Sequence, residues 1–285
     1  MLYPAMSSVQ MRPCSPALRP FIESFSYGES HLPMALERVL PAGRTDLMVN
    51  LHEDEFRTYH GPRHSIVRST RGAVLGGPRS HATVIDTREM RHHLTVNFRV
   101  GGAWPFFRMP LAEASEQLVD LDQLWGRDGA TLRERVLAAR TPEAKFQILE
   151  SLLLAQLSRA RPSEARETLD PLIPFAVRAF ERGATVASVV SHLGQLPKSF
   201  VRRFRAQMGL SPKRFSRVLR LQRVLRSISS AADLDWADLA AGHGFTDQSH
   251  LIHEFRELTS LTPAAYRPRS AAEHNHVPVA VAPPL

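Results

Sequence analysis

Between Leu196 and Arg226 the chain carries Lys198, Arg202, Arg203, Arg205, Lys213, Arg214, Arg217, Arg220, Arg223 and Arg226, and no aspartate or glutamate. Side chains of this type neutralise phosphate oxygens and hydrogen-bond to them, and the arginine fork also fits guanine O6 and N7. A solvated helix surface mixes both signs, because like charges a turn apart repel and opposite ones pair. A one-sign stripe on a folded segment points to a polyanion, with nucleic acid first among the choices. An anionic membrane attracts the same charge, but insertion needs a bulky apolar face. Here the apolar positions are needed for a core.

The stripe must be held by helices. In TVASVVSHLGQLPKSFVRRFRAQMG, Val186, Val189, Val190 and Leu193 give a first helix one apolar face, and Gly194 permits a left-handed turn. Phe200 and Phe204, four apart, bury the second helix and leave Lys198, Ser199, Val201, Arg202 and Arg205 facing away. An exposed helix crossing its neighbour steeply, with arginines outward, fits the major groove of DNA. DWADLAAGHGFTDQSHLIHEFREL repeats the plan. Trp236, Leu239 and Ala240 pack its first helix, and Gly242 and Gly244 form the turn. Thr246 is the expected cap of its second helix, Leu251 and Phe255 are its core, and Gln248, Ser249, His250 and His253 look outward. Between the units, PKRFSRVLRLQRVLRSIS reads as one continuous helix with Phe215, Val218, Leu219, Leu221, Val224, Leu225 and Ile228 inward. Such a rod spans about 27 Å, against a major-groove repeat of about 34 Å.

GHGFTDQSHLIHEFRELTSLTPAAYR, with RLQRV in the rod, resembles the signature of the AraC/XylS transcriptional regulators, over about residues 170–268. The resemblance implies two recognition helices in adjacent major grooves. By position it puts Lys198, Val201 and Arg202, then Gln248, Ser249, His250 and His253, at bases. Arg202 suits guanine and Gln248 suits adenine. Ser199, Arg203, Arg205, Lys213, Arg217 and Arg256 are the expected phosphate contacts. The chain departs from the family pattern at GQLP, where Gln195 replaces an apolar residue and Leu196 replaces a capping serine. His253 stands for the usual arginine and Ser260 for the usual glycine.

The N-terminal half reads differently. PFIESFSY, TDLMVNL, AVLGG, SHATVID and HLTVNFRV are short, rich in β-branched and aromatic residues, and bounded by turn formers. They predict an antiparallel β-barrel or sandwich of cupin-like form. Thr131 with Glu134 predicts a capping box, and Thr141-Pro142 a second helix start. These two helices either close the sheet or form a dimer face. ERVLPAGRTDLMVNL and VNFRVGGAWPFF resemble a β-domain of unknown function found ahead of this DNA-binding module in bacterial regulators.

The fold class is therefore α+β: residues 1–160 a β-rich effector or dimerisation domain, 161–169 a linker, 170–268 the double helix-turn-helix, and 269–285 an unstructured tail in which His274 and His276 do nothing specific. The net charge is +8. The single cysteine, Cys14, excludes an internal disulfide. No paired acid/base set, His-x-His cupin pattern, phosphate loop or nucleophile elbow appears, so neither catalytic residues, cofactor nor metal is expected. Trp104 and Phe106, flanked by Arg99 and Arg108, form the candidate effector pocket. The expected partners are double-stranded DNA, a small effector, RNA polymerase if the protein activates, and a second copy of the chain; a membrane is not among them, and the expected compartment is the cytoplasm. The competing readings are a β-domain enzyme with a DNA-binding appendage and a constitutive DNA binder.

Overall fold

A computed structural model describes residues 8–12, 14–29, 35–107, 109–159, 170–230 and 235–279. Eleven strands are described: β1 (Ser8–Arg12), β2 (Ile22–Glu29), β3 (Leu36–Val39), β4 (Asp46–Asn50), β5 (Phe56–His60), β6 (Ile66–Thr70), β7 (Ala73–Gly76), β8 (Thr83–Asp86), β9 (His92–Phe98), β10 (Leu118–Asp120) and β11 (His276–Pro278). They form two antiparallel sheets, ordered β1-β2-β9-β4-β7-β10 and β11-β3-β8-β5-β6. The sheets face each other as a sandwich and do not join into a closed barrel.

The strand period explains where the core sits. On the six-stranded sheet Phe25, Leu47, Val49, Leu75, Leu94, Val96 and Phe98 point to one face and are buried. They meet Phe106, Leu132, Phe146, Leu149 and Leu153 from α1 (Trp104–Phe107), α3 (Arg127–Ala138) and α4 (Pro142–Ser158), with α2 (Leu121–Trp125) alongside. Burial of this kind contributes about 1.5–3 kcal/mol per large side chain. The alternate residues, Ser24, Ser26, Asp46, Met48, His93, Thr95 and Asn97, are largely polar and face the second sheet. The apolar core thus lies beneath the helices, and the space between the sheets has a mixed lining of charged and apolar side chains. The inner faces of α3 and α4 are buried against the sheet, while Leu137 stays exposed and Leu154 and Leu157 are half-buried.

Thr141 caps α4 as expected, accepting from Ala144 N. Thr131 does not start a helix: α3 begins at Arg127, and the Thr131 hydroxyl donates back to Arg127 O. The buried Lys145 ammonium instead closes the other end of α3, donating to Val136 O at 2.7 Å and Ala139 O at 2.6 Å.

The C-terminal half holds α5 (Leu172–Glu181), α6 (Val186–His192), α7 (Pro197–Met208), α8 (Pro212–Ser230), α9 (Trp236–Gly242) and α10 (Gln248–Thr259). The 269–279 part of the expected tail is ordered. It returns to the β-domain as β11, pairing His276 with Val39 and Pro278 with Glu37. The signal was hidden because three short residues carry no period; the ordering comes from Glu37, which takes Arg269 and His276 as ion-pair partners while only 2% exposed. His274 and His276, expected to be idle, hydrogen-bond to Gln222 and Glu37. Residues 161–169 and 280–285 and Arg108 lie outside the described residues.

Candidate nucleic-acid interface

Two reading heads flank the rod α8. In the first, Thr185 caps α6 by accepting from Ser188 N, and Gly194 takes φ +59 at the turn. Phe200 and Phe204 pack into a cluster with Phe180 and Phe215. This turns Lys198, Val201, Arg202 and Arg205 outward, with Val201 37% exposed and Ser199 half-buried. The start of α7 lacks a side-chain cap, and Leu196 stands 77% exposed. Gln195 has found a use there: its Oε1 accepts from Arg203 at 2.7 Å, and the same guanidinium reaches Asp170 at 2.9 Å. Arg203, expected at a phosphate, is thereby held inside the unit.

In the second head, Thr246 is not the cap. Asp247 is, accepting from His250 N at 2.7 Å. Gln248, Ser249 and His253 are exposed. His250, expected to look outward, turns back: its Nδ1 lies 3.3 Å from the Thr246 hydroxyl and its ring meets Phe245 edge-on. Glu254 is 4% exposed and takes Arg217 at 3.0 Å and Arg220 at 2.6 Å. Arg220 also lies 4.4 Å over the Phe245 ring. Arg217 extends further to Glu257. The arginine expected to grip phosphate is therefore a strut between α8 and α10. An ion-pair partner forty residues downstream cannot be found by scanning a stripe locally. Lys213 and Arg256 remain exposed. Ser260 adopts the left-handed φ of +58 at the end of α10, the conformation a glycine takes without strain.

The β-domain touches both heads and the rod. Pro110 and Ala112 lie across a groove from Lys198, Val201, Arg202 and Arg205. Gly209, at φ +75, ends α7 so close to this wall that a Cβ would fall 2.2 Å from Pro78 Cγ. Ala82 N donates to Leu258 O at the end of α10. The loop before β4 meets α8: Leu40 packs with Leu221 and Val224, and Gln222 donates to Pro41 O at 2.8 Å. Gly43 has φ +66, and a Cβ there would approach the Phe215 ring to 3.2 Å.

A second candidate site lies between the sheets. The predicted effector pocket does not form: Phe106 packs on Phe21 and Phe98, Phe107 stacks on Trp125 at 5.0 Å, and Trp104 is half-buried against the same core. Arg99 donates to Arg19 O instead. A cavity of about 320 Å³ opens on the other side of the six-stranded sheet, lined by Met48, Phe56, Ile85, Asp46, Arg79 and Glu89 among others. Burial pushes the Asp46 carboxyl up to about 6 and the Glu89 carboxyl up to about 8. This space has no local sequence signal because its lining is drawn from eight strands far apart in the chain.

Residues 189–269 match the family described as "Helix-turn-helix domain", and residues 10–120 match "Domain of unknown function (DUF6597)". Among solved structures, ToxT from Vibrio cholerae is similar at 11% identity, covering 86% of this chain and 98% of that one, with a TM-score of 0.42. Unsaturated fatty acid bound ToxT from strain SCE256 is similar at 8% identity, covering 82% and 90%, with a TM-score of 0.40. No curated protein matches the chain. The C-terminal module is a helix-turn-helix domain of the AraC type, and the protein is a DNA-binding transcriptional regulator. No helix among the described residues is long and apolar enough to cross a membrane.

Proposed function

We propose that the protein selects its DNA site through the exposed faces of α7 and α10, held apart by α8, and that a small molecule bound between the sheets biases how those faces are presented. Lys198, Val201 and Arg202 read bases from the first head; Gln248, Ser249 and His253 read them from the second. Lys213, Arg205 and Arg256 supply phosphate contacts, with Ser199 at the rim; Arg203, Arg217 and His250 act by positioning. The observation that carries this reading is the exposure of Val201, Arg202 and Gln248 on helices whose opposite faces are buried. The chain divides into a β-domain to about residue 160 and a helical domain from about 170, with the last described strand rejoining the first domain. The protein works in the cytoplasm beside DNA, without catalysis, and RNA polymerase is its further partner if it activates. A second copy of the chain would bind through a surface other than the buried faces of α3 and α4.

Selection from random duplexes with the full chain, followed by gel shifts, tests the reading. One preferred site with two half-sites about a helical turn apart is expected. Retention of the same base preference in both Arg202→Ala and Gln248→Ala would sink it.

A further inference from the structure

The charges around the inter-sheet cavity are unequal in one respect. His276 lies on Glu37 at 3.1 Å, and Arg44 reaches Glu23 at 3.7 Å. Arg79, half-buried in the same wall, has neither a hydrogen bond nor an ion pair among the described residues. Burial works against its charge, while Glu116 and Glu89 favour it from beyond contact distance. Glu116 is engaged elsewhere, accepting from Ser80 N at 2.8 Å. The neighbouring Thr83 hydroxyl is buried without a partner among the described residues.

These groups differ in how they can escape the cost of burial. A carboxyl takes up a proton, and Asp46 and Glu89 are both displaced in that direction by burial. A guanidinium has no such route and stays charged. Near neutral pH Glu89, near 8, is mostly protonated, while Asp46, near 6, is mostly ionised with Arg44 as its countercharge, which leaves Arg79 as the cation of the cavity that an anion would meet. Protonated Glu89 adds an O–H donor for the same anion. The rest of the wall, with Val39, Met48, Phe56, Ile85 and Leu118, is apolar, and its volume falls at the small end of ligand pockets.

We infer that the inter-sheet cavity is a receptor site for a small organic carboxylate, its anionic end on the Arg79 guanidinium and its apolar body against Met48, Phe56 and Ile85. The effector role of this site rests on the regulator reading above; its chemistry does not. The Leu40–Arg44 loop lines the cavity on one side and touches α8 on the other, which gives the occupant a short route to the rod.

The test uses the full chain without DNA, followed by thermal shift and calorimetry. The probes are butanoate through decanoate and 3-phenylpropanoate, each with its primary amide and its amine. At least one acid is expected to bind, with its amide about tenfold or more weaker. Arg79→Gln should lose the acid, and Arg79→Lys should keep part of the affinity. Equal binding of the amide, preference for the amine, or no binding by any acid would overturn the proposal. If Arg79→Gln fails to fold by circular dichroism, the acid, amide and amine comparison on the unaltered chain decides alone. Gel shifts run separately keep a failure here distinct from a failure of DNA recognition.

Discussion

The two reading heads share one plan and are secured in different ways. The second is braced from within: Asp247 caps α10, and Glu254 joins Arg217 and Arg220 of the rod at its base. The first has no side-chain cap on α7, an exposed leucine at its start, and a wall of the β-domain beside its outward face. Internal bracing makes the second head a fixed reference. The first lies beside the Pro110–Ala112 wall and is pinned inside by Arg203 on Gln195 and Asp170, while the second is tied to the β-domain where Ala82 N donates to Leu258 O. The two repeats thus differ both in what holds them and in what they present, Lys198, Val201 and Arg202 against Gln248, Ser249 and His253.

The largest effect should come from breaking the brace. Glu254→Ala leaves two guanidiniums without their shared carboxylate and should cost about 3 kcal/mol in denaturant unfolding; an unchanged midpoint would mean that the brace is ornamental. Next, Arg202→Ala should weaken specific binding by about 1–3 kcal/mol and relax one base position. Gel shifts on site variants measure this, and an intact preference at every position removes Arg202 from the reading set. Smaller gains should follow from repairing each head's local flaw. Leu196→Ser supplies the missing cap, and Ser260→Gly relieves the left-handed residue, each stabilising by roughly 1 kcal/mol in thermal melts. The smallest effect belongs to Lys213→Ala, which should lower the slope of log affinity against log salt by about one without altering base choice.

The β-domain adds a pH signature on the alkaline side. Glu89 titrates near 8 when folded, above the ordinary carboxyl value of 4.5. Between those values the folded state holds a proton that the unfolded chain has released. Stability from this group is thus present below about 4.5 and lost as pH rises through 8. Glu89→Gln should flatten that fall, raising the melting temperature most above pH 8. Parallel curves for the two proteins would show that Glu89 ionises freely in the folded state.

Much of the helical half was legible because its signals are local. Proline after a capping residue marked the starts of α8 and the Pro263 turn, and the spacing of Phe200 and Phe204 fixed which face of α7 is buried. What escaped depends on distant partners. Nothing near Arg217 announces Glu254, and nothing near Arg203 announces Asp170. In the β-half, β6 was missed because all but its last residue is exposed, which erases the alternation a half-buried strand shows. The aromatic run at Trp104–Phe107 suggested a pocket, yet its three aromatics are packed into the core beneath the helices.

The pairing of β11 with β3 gives the DNA-binding module a second attachment to the sheet, beside the covalent one that precedes α5. A module fastened at two points cannot drift on a tether. The strand joins the contacts already made by Leu40, Gln222 and Leu258, so the sandwich holds the module from several sides at once. Cutting the chain after Arg267 would remove the strand and the Arg269 partner of Glu37 while sparing those other contacts, and ligand response should weaken while DNA affinity persists.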